Sequence, residues 1–225
     1  MILIAHRGSS GRAPENTAAA FRAALDDEAD AIETDVRLTA DGVAVLSHDD
    51  RTPVGLISTL SWADLSGAVI RLEELIEIAG GRVPLYLELK PWLAGGEFRS
   101  AGVVARTIAP VVGSLAGVTI SSFDPGAVVV AREVLPGAAT ALGVLEGVDP
   151  SWAIDAASSA GHAELHLPDA TVDGAVLERV RAAGLRAAVF TVNDARRMVE
   201  LETLGADAIF TDVPRAARNA LSGHR

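Results

Sequence analysis

The sequence has no cysteine, which excludes disulfides, thiolate metal sites and a cysteine nucleophile. Basic residues are few: 19 Lys+Arg against 30 Asp+Glu leave a net charge of −11. That charge opposes nonspecific binding to nucleic acid or to an anionic membrane. No stretch approaches the ~20 consecutive apolar residues that a membrane helix needs. Residues 1–5 run directly into His6-Arg7, unlike a secretory leader. A glycine-rich phosphate fingerprint after the first strand is also missing, which weakens a dinucleotide-binding reading. Apolar side chains, by contrast, are plentiful. They make up 49% of 225 residues, with a mean hydropathy of +0.31, which excludes bulk disorder and suffices for one core. The expectation is a cytoplasmic protein folded as a single domain over residues 1–225, with no nucleic-acid partner and no stable membrane association.

Eight short β-rich runs alternate with helical stretches: Met1–His6, Ala31–Asp35, Leu85–Lys90, Val118–Phe123, Ala139–Leu145, Glu164–Leu167, Arg186–Val192 and Asp207–Thr211. Between them, sets such as Leu72/Leu75/Ile76/Ala79 recur at helical spacing. Asn16-Thr17, Asp124-Pro125, Asp149-Pro150 and Asn193-Asp194 read as helix starts. Gly80–Gly81, Gly137, Gly161, Gly184 and Gly205 read as helix stops. Strands regularly followed by helices pair in parallel through crossovers. Eight such units predict an α/β fold of the (β/α)₈ TIM-barrel type, with a doubly wound open sheet as the alternative. One segment breaks the rhythm. Val36–Leu38, a turn carrying Asp41-Gly42, and Val43–Ser47 predict a β-hairpin extending from the second strand and returning His48 to the neighbourhood of Asp35.

Placed on that frame, charged residues gather at the carboxyl ends of strands, where barrel chemistry is done. Strand three puts Leu85, Leu87 and Leu89 on one face and Tyr86, Glu88 and Lys90 on the other. Glu33, Asp35 and Glu88 offer an all-oxygen ligand set suited to Mg²⁺ or Ca²⁺. A salt-bridge cluster with Arg7, Arg37 and Lys90 is the alternative. His6 and His48 flank these carboxylates and can serve as general acid and base, while His166 ends strand six and is placed to line the mouth. Arg7 is a planar fork for phosphate oxygens, and Lys90 a point charge for them or for the carboxylates. Metal, cations and an acid–base pair together point to phosphoryl transfer, attacked by a substrate hydroxyl or by water.

The segments Ala5-His6-Arg7-Gly8, Ala13-Pro14-Glu15-Asn16-Thr17, Ile32-Glu33-Thr34-Asp35-Val36, Ser47-His48-Asp49, Leu87-Glu88-Leu89-Lys90, Ser122-Phe123, Thr191-Val192-Asn193 and Thr211-Asp212-Val213-Pro214 together resemble the glycerophosphodiester phosphodiesterase family, in its order and over nearly the whole chain. The resemblance implies a phospholipase-C-like barrel that hydrolyses a small-molecule glycerophosphodiester to sn-glycerol 3-phosphate and an alcohol, through a cyclic phosphate. It implies His6 and His48 as the acid–base pair, Glu33, Asp35 and Glu88 as ligands of one divalent cation, and Arg7 as the phosphate clamp. Lys90, Glu15 and Asn16 are implied near the substrate, Phe190 stands where many members carry tryptophan, and Asp212 is left as a cap of the last helix. Two rival readings are a related phosphodiesterase or lyase acting on lysophospholipids and a non-catalytic phosphodiester-binding protein. The rim between His48 and Leu72 is shorter than is common in the family.

Overall fold

A computed structural model describes residues 1–94, 97–99 and 101–223; His224, in the tail, lies outside them. Eight parallel strands form the expected barrel: β1 (Ile2–Ala5), β2 (Ala31–Leu38), β3 (Leu85–Leu89), β4 (Val118–Ser122), β5 (Ala139–Gly143), β6 (Glu164–Pro168), β7 (Arg186–Phe190) and β8 (Ala208–Thr211). The sheet closes because β1 pairs with β8 on one side and with β2 on the other. Eight helices surround it: α1 (Ala18–Asp26), α2 (Leu72–Ala79), α3 (Gly102–Val112), α4 (Pro125–Val134), α5 (Pro150–Ala160), α6 (Gly174–Ala182), α7 (Ala195–Leu204) and α8 (Pro214–Ser222). No helix among the described residues is long and apolar enough to cross a membrane.

Strand alternation sorts the side chains into two populations. Leu85, Leu87 and Leu89 pack outward into the layer shared with the helices. Ile4, Ala31, Tyr86, Ala188, Ala208 and Phe210 fill the barrel's inside, with Phe190 against them. The capping chemistry works largely as the sequence implies. Asp124, Asp149 and Asp194 cap α4, α5 and α7, and Gly80, Gly161 and Gly205 end α2, α5 and α7 in the left-handed conformation. Two signals resolve differently. Thr17 rather than Asn16 caps α1, and α4 ends on Leu135 two residues before Gly137.

Strands β1, β3, β4, β5 and β7 stop short of their predicted ends, and the cause is clearest at β1. There the backbone leaves the sheet at His6 because Arg7 and Gly8 take positive φ, 57° and 83°, so the polar residues sit just past the strand on a tight turn. The hairpin forms as expected. Val36–Leu38 pairs antiparallel with Ala44–Leu46, and the Ser47 N–H donates to the Asp35 carbonyl at 3.0 Å, bringing His48 back beside β2. The chain between His48 and α2 is not a bare loop. A short helix, Trp62–Leu65, carries a Ser61/Asp64 capping box, and Val45, Ile57 and Leu65 build a small core of their own.

Gly8 tests the turn that aims His6 and Arg7. An added Cβ there meets the Ala20 backbone at 2.6 Å, on top of the positive φ. Gly8→Ala is expected to cost about 2–4 kcal/mol in denaturant unfolding. Gly137→Ala meets nothing within 4 Å and should change stability by less than about 1 kcal/mol.

Candidate active site

Most of the polar residues singled out in the sequence, Arg7, Glu33, Asp35, Glu88 and Lys90 foremost, meet at the carboxyl-terminal mouth of the barrel. Register sets Asp35 beside Glu88 across the β2–β3 ladder, and Glu33 lies one pleat deeper on the same face. One oxygen from each of these three carboxylates falls within 4.8 Å of the others. Such spacing fits the opposed oxygens of a cation ligated at ~2.0–2.5 Å. Asp35 Oδ1 is buried, and its contact is the Lys90 ammonium, 2.9 Å away. Three carboxylates at this spacing, answered by so few cations, make an all-oxygen set of the kind a hard divalent ion takes. The residues present therefore fit such an ion.

Several cations and donors offset the carboxylates. Lys90 pairs with both Asp35 and Glu88. The Arg7 N–H donates to Glu33 at 3.0 Å, its Nε lies 3.3 Å from Asp35, and its Nη1 holds Glu15 at 2.9 Å. Asn16, kept at a φ of 54°, donates to Asp35 at 2.9 Å and accepts from Thr34 at 2.7 Å, so it is a buried spacer rather than a cap. Arg37 takes no part in the salt-bridge cluster weighed as the alternative. Its guanidinium donates instead to the carbonyls of Ser47 and His48, which pins the end of the hairpin where His48 begins.

Ionisation follows this placement. Burial, reinforced by the charge of Asp35, pushes Glu33 up to about 8. Burial works against Asp35 too, but Lys90 and Arg7 outweigh it and hold Asp35 below its ordinary value. Lys90 is raised despite its burial, because Glu88 and Asp35 stabilise the ammonium. The cluster thus carries one carboxyl that prefers its proton, as expected where three acids share a low-dielectric site.

The two imidazoles line different cavities. His6 Nδ1 contacts Asp212 Oδ1 at 2.8 Å. Asp212 also accepts from Ser10 at 2.8 Å and from Asn193 at 2.6 Å. These bonds replace the helix-capping role expected of Asp212: the residue before α8 is Val213, and no side chain caps there. Burial would raise Asp212, yet His6, Asn193 and Ser10 bring it down to about 2. Burial alone would lower His6, and the bond to Asp212 with the charge of Glu33 raises it instead. His48 is 41% exposed and contacts Asp49 at 2.9 Å. It lines a groove with Glu15 and Asn16, joined to the carboxylates through Asn16.

His6, Glu33 and Glu88 open onto a pocket of about 350 Å³, solvent-facing space included, with Ser121, Phe123, His166, Phe190 and Phe210 around it. Phe190 stacks edge-on to Phe123 at 5.7 Å, making an aromatic wall. Sequence reading placed Phe190 and His166 here but missed Ser10, Asn193, Ser121, Phe123 and Phe210. Asn193 and Asp212 carried a signal in the Thr-Val-Asn and Thr-Asp-Val-Pro segments, but nothing in their spacing linked them to His6.

The chain matches the profile of the glycerophosphoryl diester phosphodiesterase family over residues 6–216. It is 28% identical over 237 residues to a glycerophosphodiester phosphodiesterase of Bacillus altitudinis, covering 96% of each chain. A phosphodiesterase of Oleispira antarctica, solved with the product sn-glycerol-3-phosphate, superposes with a TM-score of 0.85 at 31% identity, over 99% of this chain and 97% of that one. The Thermotoga maritima glycerophosphodiester phosphodiesterase, at 23% identity and a TM-score of 0.81 over 97% of each chain, shares the fold. With its closed barrel and this site at the mouth, the chain belongs to the glycerophosphoryl diester phosphodiesterase family, a group of phosphoric diester hydrolases.

Proposed function

We propose that this protein hydrolyses glycerophosphodiesters to sn-glycerol 3-phosphate and an alcohol, with a divalent cation, Mg²⁺ or Ca²⁺, held by Glu33, Asp35 and Glu88. The observation that carries the reading is the convergence of these carboxylates with Arg7, Lys90 and His6 at one mouth. The product bound to the Oleispira antarctica relative supports the substrate class. When bound, the cation would neutralise charge on the phosphoryl oxygens and favour ionisation of an attacking hydroxyl.

The protein's own groups do the rest. Arg7, tethered through Glu15 and Asp35, presents its fork to a phosphoryl oxygen and stabilises the charge that grows there. The substrate's 2-hydroxyl, adjacent to phosphorus and therefore at high effective concentration, attacks. One imidazole takes its proton while the other gives a proton to the departing alcohol oxygen, leaving a five-membered cyclic phosphate. Water then opens the ring, with the two imidazoles exchanging roles. Asp212 fixes the His6 ring through Nδ1, so Nε2 is the nitrogen that exchanges protons. The bond to Asp212 favours the protonated form of His6, which suits it to give a proton to the leaving alcohol while His48 takes one from the attacking hydroxyl.

Product analysis on a panel of glycerophospho-alcohols tests the reading. Release of sn-glycerol 3-phosphate is expected, and inert diesters would overturn it. Exhaustive chelation should abolish turnover, and Mg²⁺ or Ca²⁺ should restore it; full activity without either would remove the metal role. His6→Ala and Glu88→Gln are each expected to lower kcat by 100-fold or more, on the order of what acid–base groups contribute.

Asp212→Asn should lower the His6 pKa, visible in an imidazole NMR titration, and reduce kcat by about 10-fold as the imidazolium loses its charged partner. Linkage has a definite sign here. His6 is raised, so its contribution to stability is full below 6.5 and fades as pH rises through its folded value. Asp212 is depressed, so its contribution is full above 3.8 and lost as pH falls through about 2. The stability gap between wild type and Asp212→Asn should be widest between about pH 4 and 6.5 in urea unfolding, and narrower on either side.

A further inference from the structure

The floor of the pocket holds an ionisable chain that the reaction above does not use. His166, on β6, is 5% exposed and lines the same pocket as His6, Glu33 and Glu88. Its Nε2 is buried and makes no hydrogen bond. The nearest charged group is Glu164 Oε2 at 3.6 Å, too long for a bond. Glu164, 2% exposed, is itself held by Arg186 and lies 3.4 Å from the Tyr86 hydroxyl. The His166 ring is edge-on to Phe210 at 4.8 Å and tilted against Tyr86 at 5.9 Å. An imidazole wedged among aromatic rings, with a ring nitrogen unsatisfied, is costly in a protein that gains nothing from it.

We infer that His166 is a specificity-determining residue that hydrogen-bonds the terminal hydroxyl of the substrate's glycerol moiety at the pocket floor. The inference rests on the glycerophosphodiesterase reading and deepens it. Charge decides which end of the substrate goes down. Arg7 and Lys90 stand on the carboxylate side, where the phosphoryl group is drawn, whereas the cation beneath His166, Arg186, is already held by Glu164 and offers a phosphate little. A neutral hydroxyl is the polar group suited to the floor. It can donate to one ring nitrogen or accept from the other, so the match does not depend on the tautomer. The aromatic wall of Phe123, Phe190 and Phe210 packs against the carbon skeleton between the two ends.

Two chromogenic substrates separate this role from a structural one: the p-nitrophenyl diester of sn-glycerol 3-phosphate and that of propane-1,2-diol 1-phosphate. The second keeps the attacking hydroxyl and lacks the terminal one. Wild type should favour the glycerol diester in kcat/KM by roughly 10- to 100-fold, the range of one buried hydrogen bond. His166→Phe keeps the ring contacts and should lose that preference, its kcat/KM falling on the glycerol diester while the propanediol diester is little changed. His166→Gln, which retains a donor and an acceptor, should recover part of the preference and serves as the decisive variant where His166→Phe does not fold. Equal losses on both substrates in either folded variant, or a wild type indifferent to the terminal hydroxyl, would overturn the inference while leaving the glycerophosphodiesterase reading intact. A wild type inert toward both diesters would overturn that reading itself.

Discussion

The site depends on three carboxylates held together in a barrel mouth that water cannot fully reach. Each would cost several kcal/mol to ionise there alone, and together they repel one another. The surrounding arrangement answers that cost. Lys90 bridges Asp35 and Glu88, Arg7 donates to Glu33 and faces Asp35, and Asn16 spends a strained backbone conformation to bond Asp35. Even so, Glu33 is left favouring its proton. The cluster is under-neutralised, and a further positive charge would complete it.

Rigid elements hold this arrangement in place. The register of β2 against β3 sets Asp35 beside Glu88, and outward leucines anchor both strands to the helices. The two imidazoles are held less equally. His6 sits on a glycine-dependent turn and is tied by Asp212, which Ser10 and Asn193 hold in turn. His48 follows a hairpin whose end is fixed by Arg37 but remains half open to solvent. The tether fixes the direction of one ring, while solvent exposure leaves the other room to adjust.

Below the reactive layer, the barrel interior changes from charged to aromatic and then to a second ion pair, Glu164 with Arg186. This vertical order gives the pocket polarity from top to bottom. On the reading proposed above, one small substrate is read at both ends, the phosphoryl group by cations and the far hydroxyl by an imidazole.

Strand-helix alternation, the period-two pattern of β3 and the Asp-Gly hairpin made the barrel and most of its mouth legible in the sequence, because each is a local rule read along a few residues. Glu33, Asp35, Glu88, Lys90 and His6 were visible as charges at the ends of apolar runs, where burial without purpose would be costly. The fate of Asp212, Arg37 and Asn16 was not visible. Each had a sound local reading, as a cap or an ion-pair partner, and each was taken by a group brought close only when the barrel closed: Asp212 by His6, 206 residues away in the chain, Arg37 by the returning hairpin, Asn16 by Asp35. The sequence by itself determined which residues face inward, since that follows from alternation. Which of them bond to one another was decided by tertiary structure alone, since hydrogen bonds between distant strands depend on register and closure, and neither is written in local spacing.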